Sequence, residues 1–285
     1  MLTGCEFGIL GGDERQVAMA ESIASDGFSV AAFGFDDVEL IGNIEKGSLS
    51  ETVQRSKNII LPLPVTKDGI HLKMEFSREQ VALTDSFAEL FCGKQVFGGQ
   101  TEKLFKTSEH WHDIRMYDYS LREEFAVRNA VPTAEGAIGT AIREYSGTLN
   151  GSRCLVAGFG RIGKILSWML RGIGAKVTVS ARKQTDLAWI GSYGYSAVPT
   201  AQVGEGEYEI IFNTVPSSVF SRPVLAEIRN RPLIIDLASL PGGVDRQAAE
   251  ELGITVIQAL ALPGKVAPRA AGEIIKETIY HILKE

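Results

Sequence analysis

The chain has 285 residues, 45% of them apolar and 22% charged, with a formal net charge of −6. That length suits two domains of ordinary size, each with its own core, and the acidic balance disfavours a general nucleic-acid partner. No apolar run approaches a bilayer span, and the start at Met1 lacks the basic and apolar regions of a secretory leader, so a cytoplasmic chain without a membrane partner is expected.

Glu6 to Asp13 reads as a strand running into a glycine turn. A helix follows from about Glu14 to Asp26, with Val17, Ala20, Ile23 and Ala24 inward, and a second strand spans Phe28 to Phe33. Gly11-Gly12-Asp13 lacks the spacing of a dinucleotide turn, and an acid at a helix start itself occupies the anion position. Asp13 is therefore either a plain N-cap or a site residue, and Arg15 either a surface arginine or a fork for a substrate carboxylate. Asn58 to Pro64 is a strand ending in prolines, at the edge where open α/β sheets bind ligands. A short helix at Phe87–Phe91 and strands at Gln95–Phe97 and Ile114–Asp118 complete this half. His110 and His112, two apart on a helix, point different ways and make no metal pair. Cys5, Cys92 and Cys154 lack ligand spacing and read as reduced, partly buried thiols, so no metal is expected.

Helical character resumes at Leu121 and is interrupted by Pro132, which fits the first turn of a new long helix entered near Val131. Gly136 and Gly139 on that helix leave one face open to a backbone or ligand. Ser146 to Gly151 is a turn, and then comes the most informative stretch of the chain. Cys154 to Ala157 is a short buried strand, Gly158-Phe159-Gly160-Arg161-Ile162-Gly163 has the spacing G-x-G-x-x-G, and a helix with an apolar face from Ile162 to Ile173 follows. Gly158 permits the tight turn, Gly160 lets the backbone approach a pyrophosphate, and Gly163 lets helix and strand pack closely. The helix start then offers free N–H groups and a positive dipole end to that pyrophosphate.

After the next strand, Lys176 to Ser180, stand Ser180-Ala181-Arg182-Lys183, and no acidic residue occurs between Gly163 and Asp186. An acid would bind ribose hydroxyls and repel a 2′-phosphate, whereas Ser180, Arg182 and Lys183 can bind one, so NADP is favoured and NAD is the alternative. Three more strands, Glu209–Phe212, Pro232–Asp236 and Ile254–Ile257, end in small, polar or proline residues. Asn213, Thr214, Val215 and Pro216 with Ser239 fall at the edge where nicotinamide and substrate meet. The tail carries an apolar stripe of Ala271, Ile274, Ile275, Ile279 and Ile282, an amphipathic helix. Lys265 and Arg269 lie in a Gly-Pro-rich loop and the helix start before that stripe, two cations suited to an anionic substrate.

The fold class that emerges is α/β, two Rossmann-like doubly wound domains with an interdomain cleft, bridged by long helices. Residues 1–130 form a substrate or catalytic domain, 131–268 the NAD(P)-binding domain with its linker helix, and the helix 269–285 packs back on the first.

Gly11-Gly-Asp-Glu-Arg15-Gln16, Asn129-Ala-Val-Pro-Thr-Ala-Glu-Gly136, the glycine triplet, and Leu262-Pro-Gly-Lys-Val-Ala-Pro-Arg269-Ala-Ala-Gly272 keep this order along nearly the whole chain. Together they resemble the dipicolinate synthase A subunit; the flanking segments are more specific than the triplet, which many dehydrogenases share. The resemblance implies an enzyme of the mother cell of sporulating bacteria. It would oxidise 4-hydroxy-tetrahydrodipicolinate, through dihydrodipicolinate, to dipicolinate with reduction of NAD(P), alongside the flavoprotein-like B subunit of dipicolinate synthase. A small dicarboxylate needs separate anchors, and Arg15, Asp13, Thr133, Ser239, Lys265 and Arg269 are the candidate substrate residues. Lys265 and Glu135 are candidates for acid–base work, with Asp13 or a bound water as alternatives. Partnership with the B subunit implies a hetero-oligomer, and a homo-oligomer is the other expectation.

A D-2-hydroxyacid or methylenetetrahydrofolate dehydrogenase-like oxidoreductase is the alternative enzyme. The first class uses a histidine past the last strands, and between Trp111 and Tyr280 this chain has only His112. The second is echoed by Pro263-Gly-Lys-Val-Ala-Pro268. A non-catalytic NADP-binding regulatory protein is the alternative outside enzymes.

Overall fold

The computed structural model describes residues 5–285; the start Met1–Gly4, on which part of the leader expectation rests, lies outside them. The chain divides into two units, Met1–Arg128 with Ala267–Glu285, and Asn129–Val266.

In the first unit β1 (Cys5–Leu10), α1 (Glu14–Ser25), β2 (Val30–Phe33), β3 (Ile44–Lys46), α2 (Leu49–Arg55), β4 (Ser56–Ile60), α3 (Asp85–Glu89), β5 (Gln95–Gly98) and β6 (Arg115–Asp118) follow in order. They form one parallel sheet in the order β3-β2-β1-β4-β5-β6. A parallel sheet is covered on both faces, so its central strands read as apolar runs, Val-Ala-Ala-Phe in β2 for example, without alternation. Phe7, Ile9, Ala20 and Ile23 fill one layer, and Leu10, Ile59, Phe91 and Trp111 the other. The chain winds outward in opposite senses from β1 and β4, so the crevice of this sheet lies beyond their carboxyl ends. β3 and α2 are additions to the sequence reading. β3 is too short to show a period, and α2 is set by a Ser48–Glu51 capping box.

α4 (Glu123–Glu144) spans the division between the units in sequence and is one helix, with Pro132 inside it instead of in a first turn. The acidic start and the helix-forming run before Pro132 carry the helix through. The proline forfeits only the bond to the Arg128 carbonyl. At the next carbonyl, Thr133 Oγ1 donates to Asn129 O at 2.7 Å.

The second unit contains β7 (Arg153–Ala157), α5 (Arg161–Ile173), β8 (Lys176–Ala181), α6 (Gln184–Ser192), β9 (Ser196–Pro199), β10 (Ile210–Asn213), α7 (Arg222–Glu227), β11 (Leu233–Asp236), α8 (Arg246–Glu251), β12 (Val256–Gln258) and α9 (Leu262–Val266). Its parallel sheet, β12-β11-β10-β7-β8-β9, repeats the winding of the first, with the switch between β7 and β10. Both units are therefore doubly wound α/β sheets, as the sequence indicates. α9 corrects the loop expected around Lys265: Leu262 and Pro263 are buried, and Gly136 lets the helix in, since a Cβ there would lie 3.0 Å from Leu262 Cβ. Gly139 meets nothing within 4 Å, so only one of the two helix glycines is explained by packing.

α10 (Pro268–Lys284) belongs to the first unit. A Cβ at Gly272 would lie 2.6 Å from Arg15 O; further on, Lys276 Nζ donates to Ser22 Oγ at 2.6 Å and Tyr280 Oη to Asp26 Oδ2 at 3.0 Å. α10 thus runs parallel to α1 and in step with it. Arg269, one turn before Gly272, comes level with the start of α1.

Candidate functional site

The glycine turn has the backbone geometry that its G-x-G-x-x-G spacing calls for. Gly158 has φ +103°, a conformation that favours glycine, and Gly160 is the N-cap of α5. A Cβ at Gly163 would lie 2.1 Å from Gly158 O, so helix and turn approach as closely as backbones can. A Cβ at Gly160 would meet no protein atom within 4 Å, which leaves the helix start open to a ligand. Ile162 packs against the core, so its contribution to that opening is its backbone N–H, as for Arg161 in the same helical turn. Lys164 Nζ lies 5.2 Å from the centre of the Phe159 ring.

A cavity of about 320 Å³ opens from this turn, lined by Gly158, Phe159 and Gly160 on one side and Thr214, Val215 and Pro216 on another. Arg182, Lys183 and Asp186 also line it. The two cations are exposed and the carboxylate half-buried, so an anion and a hydroxyl could both be bound there. Asp186 follows the basic turn in sequence and so had no place in the cofactor expectation; α6 starts at Gln184 and folds it back into the same lining. Ser180 is a correction: its side chain is fully buried in β8 and its Oγ has no partner, so a 2′-phosphate would meet Arg182 and Lys183 without it.

Asn213 is a second correction, for its amide is spent inside the protein. Asn213 Nδ2 donates to Asp236 Oδ1 at 2.8 Å and to Val215 O at 3.1 Å, while Oδ1 accepts from Val215 N at 3.2 Å. Asp236 also accepts from the N–H groups of Ala238 (3.2 Å) and Gly243 (3.3 Å). This buried pair clamps the two loops that end β10 and β11, a positioning role the sequence reading missed. Thr214 Oγ1 donates to Ala157 O at 2.8 Å and stays at the cavity wall, and Ser239 is exposed on the β11 loop.

The acid–base candidates fare differently. Glu135 is exposed and lines a separate groove of about 720 Å³ with Gly139, Ile142, Trp168 and Gly172, beside the far half of α5, and is not part of the cavity at the glycine turn. Thr133 is buried with its hydroxyl committed to Asn129 O. Lys265 is exposed in the last turn of α9.

In the first unit, the ends of β1 and β4 carry a buried ion cluster. Asp13 caps α1, and its Oδ1 accepts from Arg15 N (3.0 Å) and Nε (2.9 Å). Its Oδ2 accepts from Arg15 Nη2 at 2.8 Å and from Lys73 Nζ. Arg15 Nη2 also donates to Leu63 O, beyond the end of β4. Burial alone would raise the Asp13 pKa, but hydrogen bonds and charge from Arg15 and Lys73 outweigh it and hold the carboxyl well below the usual range. All four acceptor directions of Asp13 are filled, so it can neither take a proton from a substrate nor bind one. It is a counter-ion and cap, which corrects its place among the substrate residues. Arg15 differs: its Nη1 has no acceptor among the described residues, and Arg269 stands level with it on α10, exposed and likewise without an ion-pair partner among them. Lys73 is the member the sequence reading missed.

Residues 6–120 match the family model for the N-terminal domain of the dipicolinate synthase A subunit. The curated A subunit of dipicolinate synthase from Bacillus subtilis (strain 168) is 31% identical over 290 residues, 100% of this chain and 98% of that one. The crystal structure of the dipicolinate synthase A subunit from Bacillus halodurans is similar with a TM-score of 0.88 at 30% identity, covering 100% of this chain and 99% of that one. A transhydrogenase from Sinorhizobium meliloti has the same fold, with a TM-score of 0.70 at 14% identity over 98% of this chain and 93% of that one. With end-to-end similarity in both sequence and structure, the chain belongs to the family of dipicolinate synthase A subunits.

Proposed function

We propose that the chain is an NADP-dependent oxidoreductase that converts 4-hydroxy-tetrahydrodipicolinate, through dihydrodipicolinate, to dipicolinate, working with the B subunit of the synthase. The observation that carries this reading is an open phosphate cradle, Gly158 to Gly163, in a chain of this family. Loss of water gives the dihydro ring; loss of one hydride and one proton then makes it aromatic. When bound, NADP supplies the hydride acceptor.

The residues of the chain fit such a ligand at each part. The N–H groups at the start of α5 face a pyrophosphate with no side chain in the way, since Gly160 leaves the approach clear. Arg182 and Lys183 give charge-assisted hydrogen bonds to a 2′-phosphate, and the Asp236–Asn213 pair holds the Thr214–Pro216 wall in place. Arg15 and Arg269 supply two separate cations for the two carboxylates of the substrate. Aromaticity gained in the product drives the hydride loss, and the protein's contribution is to hold the ring against the cofactor.

Asp186 lines the same cavity as the two cations, so NAD remains the competing cofactor. Replacing Arg182 and Lys183 together with alanine is expected to weaken NADPH binding roughly tenfold to a hundredfold and NADH binding by less than about threefold, read by fluorescence titration. Equal losses for both would show that the 2′-phosphate lies elsewhere. For the reaction itself, the test is to incubate the purified chain, with and without the B subunit, with NADP and 4-hydroxy-tetrahydrodipicolinate. The expected result is growth of reduced-nicotinamide absorbance. Cofactor binding without turnover under both conditions would favour a regulatory NADP-binding role instead.

A further inference from the structure

We infer that Lys73 is a positioning residue of a carboxylate receptor in the first unit, acting through Asp13 on Arg15; this rests on the diacid substrate proposed above. Lys73 reaches the cluster through backbone pairing, outside any helix or sheet strand. Gly12 N–H donates to Lys73 O at 2.8 Å, Glu75 N–H to Gly12 O at 2.9 Å, and Lys73 N–H to Val65 O at 2.9 Å. The two bonds with Gly12 fasten residues 73–75 to the extension of β1, and the bond to Val65 ties them to the segment that follows β4, the two strands that border the switch point. The approach requires Gly11, whose φ is +60° and where a Cβ would lie 2.7 Å from Lys73 O.

The Lys73 side chain is only 5% exposed, a costly position for an ammonium that a surface lysine would avoid. Its charge has a task there. Asp13 is bound on Oδ1 by the N–H and Nε of Arg15, and on Oδ2 by Arg15 Nη2 and Lys73. With every direction occupied the carboxylate cannot turn. Arg15 is gripped along its Nε–Nη2 edge, which leaves Nη1, away from that edge in the same plane, for a ligand. The charge count points the same way. Arg15 and Lys73 are positive and Asp13 negative; Glu75, 3.4 Å from Lys73, is answered by Lys67 at 3.0 Å. The buried cluster therefore carries one net positive charge, which a bound carboxylate would neutralise.

Without Lys73 the Asp13–Arg15 pair is neutral by itself. The fold keeps its buried ion pair, while the receptor loses its excess charge and the second grip on Asp13. A merely structural lysine would give the reverse pattern, lost stability with unchanged ligand affinity. The experiment is calorimetric titration of the full-length, NADP-saturated protein with pyridine-2,6-dicarboxylate as the probe. Lys73→Met is expected to weaken diacid binding about thirtyfold and to raise substrate KM far more than it lowers kcat. NADPH affinity should stay at the wild-type value, and Lys73→Arg should restore diacid affinity to within about threefold. Lys73→Met binding the diacid as wild type does would overturn the inference, as would parallel losses of diacid and NADPH affinity. A wild-type chain that takes up no diacid would overturn the substrate reading, and this role with it.

Discussion

Gly163→Ala is expected to remove NADPH binding, raising its Kd by at least about a hundredfold, and to destabilise the second unit by about 1–3 kcal/mol. The added methyl would stand 2.1 Å from Gly158 O and 2.9 Å from Gly158 C, and both are backbone atoms of the phosphate turn itself. Since no flexible side chain can give way, either the turn opens or α5 tilts away from β7. Both outcomes spoil the cradle. Gly160→Ala separates the two consequences. Its Cβ meets no protein atom within 4 Å, so stability should fall by no more than about 1 kcal/mol, the N-cap difference between glycine and alanine, while pyrophosphate approach is blocked. Thermal unfolding and NADPH titration on the two variants check this. Intact NADPH binding in Gly163→Ala would mean that the turn is not the pyrophosphate site.

Asp13→Asn is expected to destabilise the first unit by about 3–5 kcal/mol, because it leaves Arg15 and Lys73 buried side by side without their counter-ion. Asparagine is as good an N-cap as aspartate, so the change isolates charge from capping. Combining it with Lys73→Met should recover part of the loss, since one of the two unanswered cations is gone. The same carboxylate gives the pH dependence its sign. Its pKa in the folded state is depressed, so its contribution is fully present above the unfolded value of about 3.9 and is lost as pH falls below it. Denaturant unfolding should therefore show the wild-type advantage over Asp13→Asn undiminished from pH 7 to 5 and shrinking below pH 4. A gap that stays constant down to pH 2 would mean that Asp13 is not the buried counter-ion.

Local signals made the second unit the more legible one. Strand, glycine triplet and amphipathic helix stand next to one another in the chain, and Gly158 and Gly163 have the backbone reasons their spacing suggests, a turn at positive φ and a close helix–turn contact. The tail stripe at Ala271, Ile275 and Ile279 likewise reports a real packing face, because α10 packs against α1 along its length. What escaped is what depends on long separations. Lys73 is sixty residues from Asp13, in a stretch with no periodicity; the one hint was that an acid at the start of α1 is misplaced for a phosphate and must answer some cation. Asp236 looked like an ordinary strand end, since its bond to Asn213 joins neighbouring strands and leaves no pattern along either. Ser180 and Asn213 were misjudged because a strand's last residues alternate between faces, and composition does not say which face is dry. Pro132 misled in the opposite direction, as a local rule overridden by the helix already formed before it.

The measurement that bears most directly on the redox reading is stoichiometry. Purified chain, with the B subunit present, is supplied with 4-hydroxy-tetrahydrodipicolinate and NADP, and both products are quantified in the same samples over time. One reduced nicotinamide is expected for each dipicolinate formed, with both absent in Gly163→Ala. Dipicolinate accumulating at the wild-type rate without reduced nicotinamide, or in the Gly163→Ala variant, would contradict the redox reading.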